Sequence, residues 1–294
     1  MLIPVFTKNR SNPAYGAARI GAERAAAPFG ARVVHYVPEI ADDPAQQSAL
    51  LLQALATRPD AIVFTPVHPT RLDPALDAVQ QAGIPLFGFV NRMAPGRFVS
   101  YIGAADAALA DDIATRLFDH LGGQGDVVIV EGPAESITSI ERVQAFVDAA
   151  ARRPGIRIVD RCNGAYQREP AREAFAALLQ RQPRIDGVLA ANDIMAIGVL
   201  DALQAAGREA AVVGVNAIPQ AIEAIADGRM LATADFNAML MCALATECAI
   251  RHLRGEPVPT DVELPVAIVD RSNCMQWRLP YAERALPTLK ELTT

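Results

Sequence analysis

The sequence is poor in the residues that usually betray a protein's chemistry. Its four cysteines, Cys162, Cys242, Cys248 and Cys274, form no CxxC pair and have no metal-site spacing with any of the four histidines. Buried small apolar thiols are the expectation, with a Cys162 to Cys274 disulfide as the alternative, and no metal is expected. No run of 18 apolar residues occurs, which excludes a helical membrane span. The opening MLIPVFTK lacks the basic and long apolar regions of a secretory signal, so an exported form would have its signal already removed. Lys and Arg form no run or stripe and the formal net charge is -6, so composition points away from nucleic acid and anionic membranes.

Signatures of enzyme chemistry are missing too. There is no GxGxxG behind the first strand, no GxxxxGK[ST] and no GxSxG, and GGQG at 122–125 precedes a strand, so it reads as a helix stop. His35, His68, His120 and His252 sit in no catalytic or metal motif. The chain is therefore read as a non-enzyme, with no catalytic residue and no cofactor.

What is present is regular. With 51% hydrophobic and 20% charged residues the chain is an ordinary globular one, and 294 residues exceed the size at which one core stops growing, so two domains are expected. Short apolar runs alternate with helical periods, which predicts an α/β protein of parallel sheets covered by helices on both faces. In the first half the strands fall at LIPVF, RVVHYV, AIVFT, PLFGF and VSYIG, with helices from Pro13, Pro44, Asp73 and Ala105. In the second they fall at DVVIV, IRIVD, GVLA, AVVGV and LATAD, with helices from Ile137, Glu169, Ile194 and Ile218. LDAVQQAG at 76–83 and LDALQAAG at 200–207 agree at six of eight positions, which predicts two similar lobes.

Ligands of open parallel sheets sit beyond the carboxyl ends of the strands. Here those ends read TKNRSNPAY, VNRM, EGPAESITSIER, AND and NAIPQ, nearly all with Asn, Arg, Glu or Asp beside a helix start. Asn192 and Asp193 raise the question most sharply, because one of them suffices to cap the following helix.

The stretches NPAYGAARIGAERAA, AIVFTPVHPTRLDPALDAVQQAGIPLFGFVNR, VVIVEGPAESITSIERVQAF, GVLAANDIMAIGVLDALQAAG and VVGVNAIPQAIEAIADGRMLATADFN cover roughly residues 2–270. In order and spacing they resemble the periplasmic solute-binding proteins of bacterial ABC sugar importers, in the ribose- and galactose-binding branch. The resemblance implies a periplasmic binding protein type I fold: two similar doubly wound parallel-sheet lobes joined by a three-crossing hinge. It places the N-terminal lobe at 1–103 plus 237–262 and the C-terminal lobe at 104–236 plus 263–294, with crossings near Gly103, Ala234 to Phe236, and Glu263. It implies a periplasmic monomer that closes on a small sugar, sugar alcohol or sugar acid in the interlobe cleft and delivers it to a membrane permease.

The site residues follow from the same resemblance. Asn12 matches a ligand asparagine and Tyr15 a stacking aromatic, while Ala14 replaces a second aromatic; Asn12 could equally cap its helix. Asn91 and Arg92 stand where the ribose branch has Asp-Arg. Arg142, Tyr166 and Asn192 match a ligand arginine, a stacking aromatic and a ligand asparagine, with a solvated helix surface the plain alternative for Arg142 and Asp193 either a second contact or the cap, so that one of the Asn192–Asp193 pair would face the cleft and the other secure the helix. Asn216 replaces an aspartate, Phe236 a polar ligand residue, and Asp235 or Asn237 would point inward; Lys8 and Arg10 are optional contributors, as most loop lysines are solvated. Asn for Asp at 91 and 216 removes two negative charges beside Arg92 and Arg142, which keeps an anionic sugar acid open next to the favoured neutral ligand. The rival to solute binding is the effector core of a lac-repressor-like regulator, for whose helix-turn-helix a strand beginning at residue 2 leaves no room. The tail holding Trp277 is expected to lie along a lobe.

Overall fold

Helix starts in this chain are written in short polar-proline signals. In α1 (Pro13–Ala26) and α2 (Pro44–Ala56) proline occupies the first turn, and Asn12 and Asp43 cap from outside by accepting the N–H of Ala14 at 3.0 Å and of Gln46 at 2.7 Å. The computed structural model describes residues 1–293, and the chain divides into two compact units.

Unit 1 holds β1 (Leu2–Phe6), α1, β2 (Arg32–Tyr36), α2, β3 (Ile62–Phe64), α3 (Asp73–Gln81), β4 (Leu86–Phe89) and β5 (Ser100–Gly103). Unit 2 holds α4 (Asp106–His120), β6 (Gln124–Glu131), α5 (Ile137–Ala151), β7 (Gly155–Asn163), α6 (Arg168–Arg181), β8 (Gly187–Ala190), α7 (Asp193–Ala205), β9 (Ala211–Val215), α8 (Pro219–Ala226) and β10 (Ala232–Asp235). The chain then returns to unit 1 with α9 (Ala238–Leu253) and β11 (Asp261–Glu263), and to unit 2 with β12 (Ala267–Asp270).

The unit 1 sheet runs β11-β5-β4-β3-β1-β2, parallel throughout; the unit 2 sheet runs β12-β10-β9-β8-β6-β7, with β12 alone antiparallel. Apart from the edge strand the two orders are the same, so the duplication legible in LDAVQQAG and LDALQAAG is one of topology. Those stretches end α3 and α7, the helices behind equivalent strands β3 and β8. Both terminate on a left-handed glycine, Gly83 at φ +70 and Gly207 at φ +60, and each is closed by a backbone bond, Ile84 N–H to Val79 O and Arg208 N–H to Leu203 O.

Phe6, Phe64, Leu51, Leu72, Leu76 and Val79 form one buried cluster of unit 1 between β1, β3, α2 and α3. On the other face α9 is buried almost all round and crosses α1 so closely that a Cβ on Gly21 would lie 2.2 Å from the Met239 carbonyl oxygen. All four thiols are free; Cys242, Cys248 and Cys274 are buried and Cys162 is half-buried. Burial pushes the Cys162 thiol up to about 12 and Cys248 up to about 11, as for inert apolar side chains.

The tail departs from expectation. The resemblance places 263–294 whole in the C-terminal lobe, but Glu263, Leu264 and the chain from Pro280 belong to unit 1. The reason is specific anchoring: Arg24 donates to the carbonyls of Tyr281 at 3.2 Å and Arg284 at 2.8 Å, and buried Leu289 donates its N–H to Glu247 Oε2 at 2.8 Å. On the unit 2 side, Arg278 forks onto both oxygens of Glu223.

Candidate ligand-binding site

Each unit carries its own polar face at the carboxyl ends of its parallel strands. In unit 1 the loop behind β1 is locked by buried polar groups. Lys8, expected to be solvated, is 1% exposed, with Nζ 3.4 Å from Asp42 Oδ1. Asn9 donates to Asp42 Oδ2 at 2.9 Å and accepts the N–H of Asn12 at 3.0 Å, so Asn12 is fixed at its backbone while its side chain caps α1. Asn12 is thus the cap of α1. Tyr15, one turn on, is buried.

Behind β4 the chain turns through Val90 at φ +65, and Asn91 follows, 2% exposed. Its amide nitrogen donates to Pro66 O at 2.9 Å, which orients the side chain; its Oδ1 is buried with no hydrogen-bond partner among the described residues. Arg92 forks onto Asp261, with Nη2 3.0 Å from Oδ1 and Nη1 bonded to Oδ2, and lies 4.1 Å from the Tyr101 ring centroid. That guanidinium holds the Asp261 carboxyl below its ordinary range.

Unit 2 is organised around Arg142, which is 3% exposed. Its Nε and Nη2 reach Asp106 Oδ1 at 2.8 and 2.7 Å, its Nη1 donates to Ala191 O at 2.8 Å, and its guanidinium lies 5.4 Å from the Phe236 ring centroid. One side chain therefore joins the start of α4, the end of β8 and the residue after β10, and a solvated helix surface is excluded for it. Tyr166, at φ +55, lays its ring where a Cβ on Gly132 would fall, 2.4 Å from the ring carbon.

Within the Asn192–Asp193 pair the two side chains have different partners. Asn192 is the cap, its Oδ1 accepting Met195 N–H at 3.0 Å. Asp193, fully buried, accepts Ile218 N–H at 3.0 Å and the Thr233 hydroxyl at 2.7 Å, pinning the loop before α8 to β10. The physical reason is geometric: the cap position needs extended backbone, which Asn192 has, while the first helical residue points its carboxylate inward. Burial pushes the Asp193 carboxyl up to about 7, aided by the Asp235 charge and opposed by the two hydrogen bonds and the Arg142 charge.

Asn216 follows β9 as Val90 follows β4. Both have positive φ, and each donates its N–H to the next strand: Asn216 to Ala234 O at 2.8 Å, Val90 to Ile102 O at 3.1 Å. Asn216 Oδ1 is buried without a hydrogen-bond partner among the described residues. Asp235 accepts the indole N–H of Trp277 at 2.7 Å, and Asn237, the other residue expected to point inward, caps α9 instead, its Oδ1 accepting Leu240 N–H at 3.1 Å.

Within unit 1 the structure links Asn91 and Arg92 to one strand end and Asn12 and Tyr15 to another. Within unit 2 it brings Arg142 and Phe236 into contact and sets Asn192 directly behind the carbonyl that Arg142 holds. The sequence reading missed the carboxylates that pair with the cations, Asp42, Asp106 and Asp261. Only Asp106 carried any signal, as an acidic residue in the first turn of its helix.

Two sheets of one strand order, parallel but for the edge strand β12, each presenting polar groups at its strand ends, define the duplicated binding fold of type I. The chain belongs to the periplasmic binding protein domain family, whose model matches residues 3–257. It is 30% identical over 273 residues to the ribose import binding protein of Escherichia coli (strain K12), covering 90% of each chain. It is 26% identical over 260 residues to the xylitol-binding protein of Mycolicibacterium smegmatis, covering 87% of this chain and 73% of that one. Among solved structures, an ABC transporter periplasmic solute-binding protein from Actinobacillus succinogenes 130z with bound D-allose matches with a TM-score of 0.87 at 28% identity, over 93% of this chain and 99% of that one. These relatives are binding proteins.

Proposed function

We propose that the chain captures a small neutral polyhydroxylated molecule, a monosaccharide or sugar alcohol, through the polar groups at its strand ends, and presents it in the periplasm to an ABC importer. The observation that carries the neutral reading is the pair of buried acceptors, Asn91 Oδ1 and Asn216 Oδ1, at the ends of equivalent strands β4 and β9. A buried acceptor left unpaired costs about 1–3 kcal/mol, which an O–H donor from a ligand recovers. A polyol supplies such donors all around its edge. A carboxylate supplies only further acceptors.

Charge balance points the same way. The sugar-acid alternative rested on two arginines left without carboxylates; in the structure Arg142 is held by Asp106 and Arg92 by Asp261. Faces balanced in this way favour a neutral guest. Ribose, xylitol and allose, the ligands named for the relatives, are all of this class.

A thermal-shift panel of pentoses, hexoses, tetritols, pentitols and the corresponding sugar acids tests the reading. A neutral ligand at a hundred times its Kd adds about 2.7 kcal/mol of stability. Stabilisation confined to the acids overturns it.

A further inference from the structure

We propose that Asp261 sets the charge of the ligand this chain accepts: by holding both terminal nitrogens of Arg92 it cancels a positive charge at the β4 strand end, and its removal opens the site to sugar acids. The inference rests on the neutral-ligand reading above and assigns one residue to that selectivity.

The placement of Asp261 follows from sheet register. β11 pairs in parallel with β5, which sets Asp261 beside Tyr101. Tyr101 is itself fixed, because its hydroxyl donates to Val90 O at 2.5 Å. Arg92, two residues past Val90, therefore has a ring beneath its guanidinium and a carboxylate at its edge. The ring retains the cation by cation–π attraction whether or not the carboxylate is present. With Asp261 in place, the fork is already occupied by the one geometry that a ligand carboxylate would need.

The two carboxylate–arginine pairs are not equivalent as selectors. Arg142 and Asp106 are 3% and 12% exposed, so removing Asp106 leaves a buried cation and disturbs the fold. Arg92 and Asp261 are 54% and 48% exposed, and exposed pairs contribute little to folding. Asp261 is thus a residue whose loss changes the charge presented to a ligand while sparing the structure. Glu263 also acts on Arg92 through its charge, so it compensates for part of the loss.

The test titrates the full chain with xylitol, ribose and allose and with xylonate, ribonate and allonate, by calorimetry, in wild type, Asp261→Asn and Asp261→Asn/Glu263→Gln. Asp77→Asn is the charge-matched control, since Asp77, on α3, pairs with Arg97 and not with Arg92. Asp261→Asn lowers the ratio of acid Kd to neutral Kd by about tenfold or more, the size of one charge-assisted hydrogen bond. The double variant lowers it further, and the effect shrinks between about 0.02 M and about 0.5 M salt as screening grows. An unchanged ratio in Asp261→Asn with neutral binding retained overturns the inference and spares the neutral-ligand reading. So does an equal change in Asp77→Asn. A wild type that binds only the acids, or none of the neutral probes, overturns the reading on which the inference rests.

Discussion

Trp277 donates its indole N–H to Asp235 Oδ2 across 2.7 Å, tying the only tryptophan of the chain to the last residue of β10. Phe236, the next residue, lies under the Arg142 guanidinium. A ligand that engages this strand end therefore alters the surroundings of the indole. Intrinsic fluorescence excited at the tryptophan band is expected to change in intensity or emission maximum on titration with the neutral ligand and to saturate with the calorimetric Kd. Asp235→Ala shifts the spectrum of the unliganded protein and weakens the response; an indole signal unmoved by a saturating ligand argues against Asp235 and Phe236 as site residues.

Asn192 serves α7 as its cap, so replacing it tests two roles at once. Asn192→Ala is expected to cost about 1 kcal/mol of stability in denaturant unfolding, the usual loss for a helix cap. Asn192→Ser restores the cap through its hydroxyl but not the amide, so it recovers the stability without recovering ligand affinity. Full binding by the serine variant would assign Asn192 to the helix alone.

Asp193 makes the stability of unit 2 depend on pH. Its folded-state pKa is raised to about 7, above the unfolded value near 4, so protonation favours the folded form. That contribution is complete below about pH 4 and is lost as pH rises through about 7. Asp193→Asn is neutral throughout and keeps an oxygen for Ile218 N–H and a polar group for Thr233. Melting temperatures are expected to show the gap, variant minus wild type, widening from about pH 5 to about pH 8. A gap independent of pH contradicts the account.

The Arg142–Asp106 pair predicts non-additive energetics. Asp106→Ala alone leaves a buried guanidinium and is expected to cost about 3–5 kcal/mol. Asp106→Ala/Arg142→Met removes both charges and regains most of that loss. Stabilities that simply add in denaturant unfolding would mean that the pair is solvated.

Much of this was legible in the letters. The ten strands of the two repeats announce themselves as short apolar runs, and Pro13 and Pro44 mark helix starts, because those signals are local. α9 gave no stripe, since it is buried on nearly every side, and β11 and β12 are three and four residues long with half-exposed patterns. The candidate faces were legible as positions and not as partners. Arg92 and Asp261 are 169 residues apart, Arg142 and Asp106 36 apart, and nothing in either neighbourhood advertises the other. Lys8 is a case of the same kind: a loop lysine reads as solvated until a distant carboxylate, Asp42, is placed beside it.

The most direct measurement is a calorimetric titration of the wild type, Asn91→Ala and Asn216→Gly with the neutral binder from the thermal panel. Glycine is chosen at 216 because it adopts φ +125 without strain, so the variant loses an acceptor and keeps its fold. One ligand per wild-type chain is predicted, with affinity reduced about tenfold or more in each variant. Undiminished affinity in both variants would contradict the claim that these two buried oxygens await a hydroxyl donor.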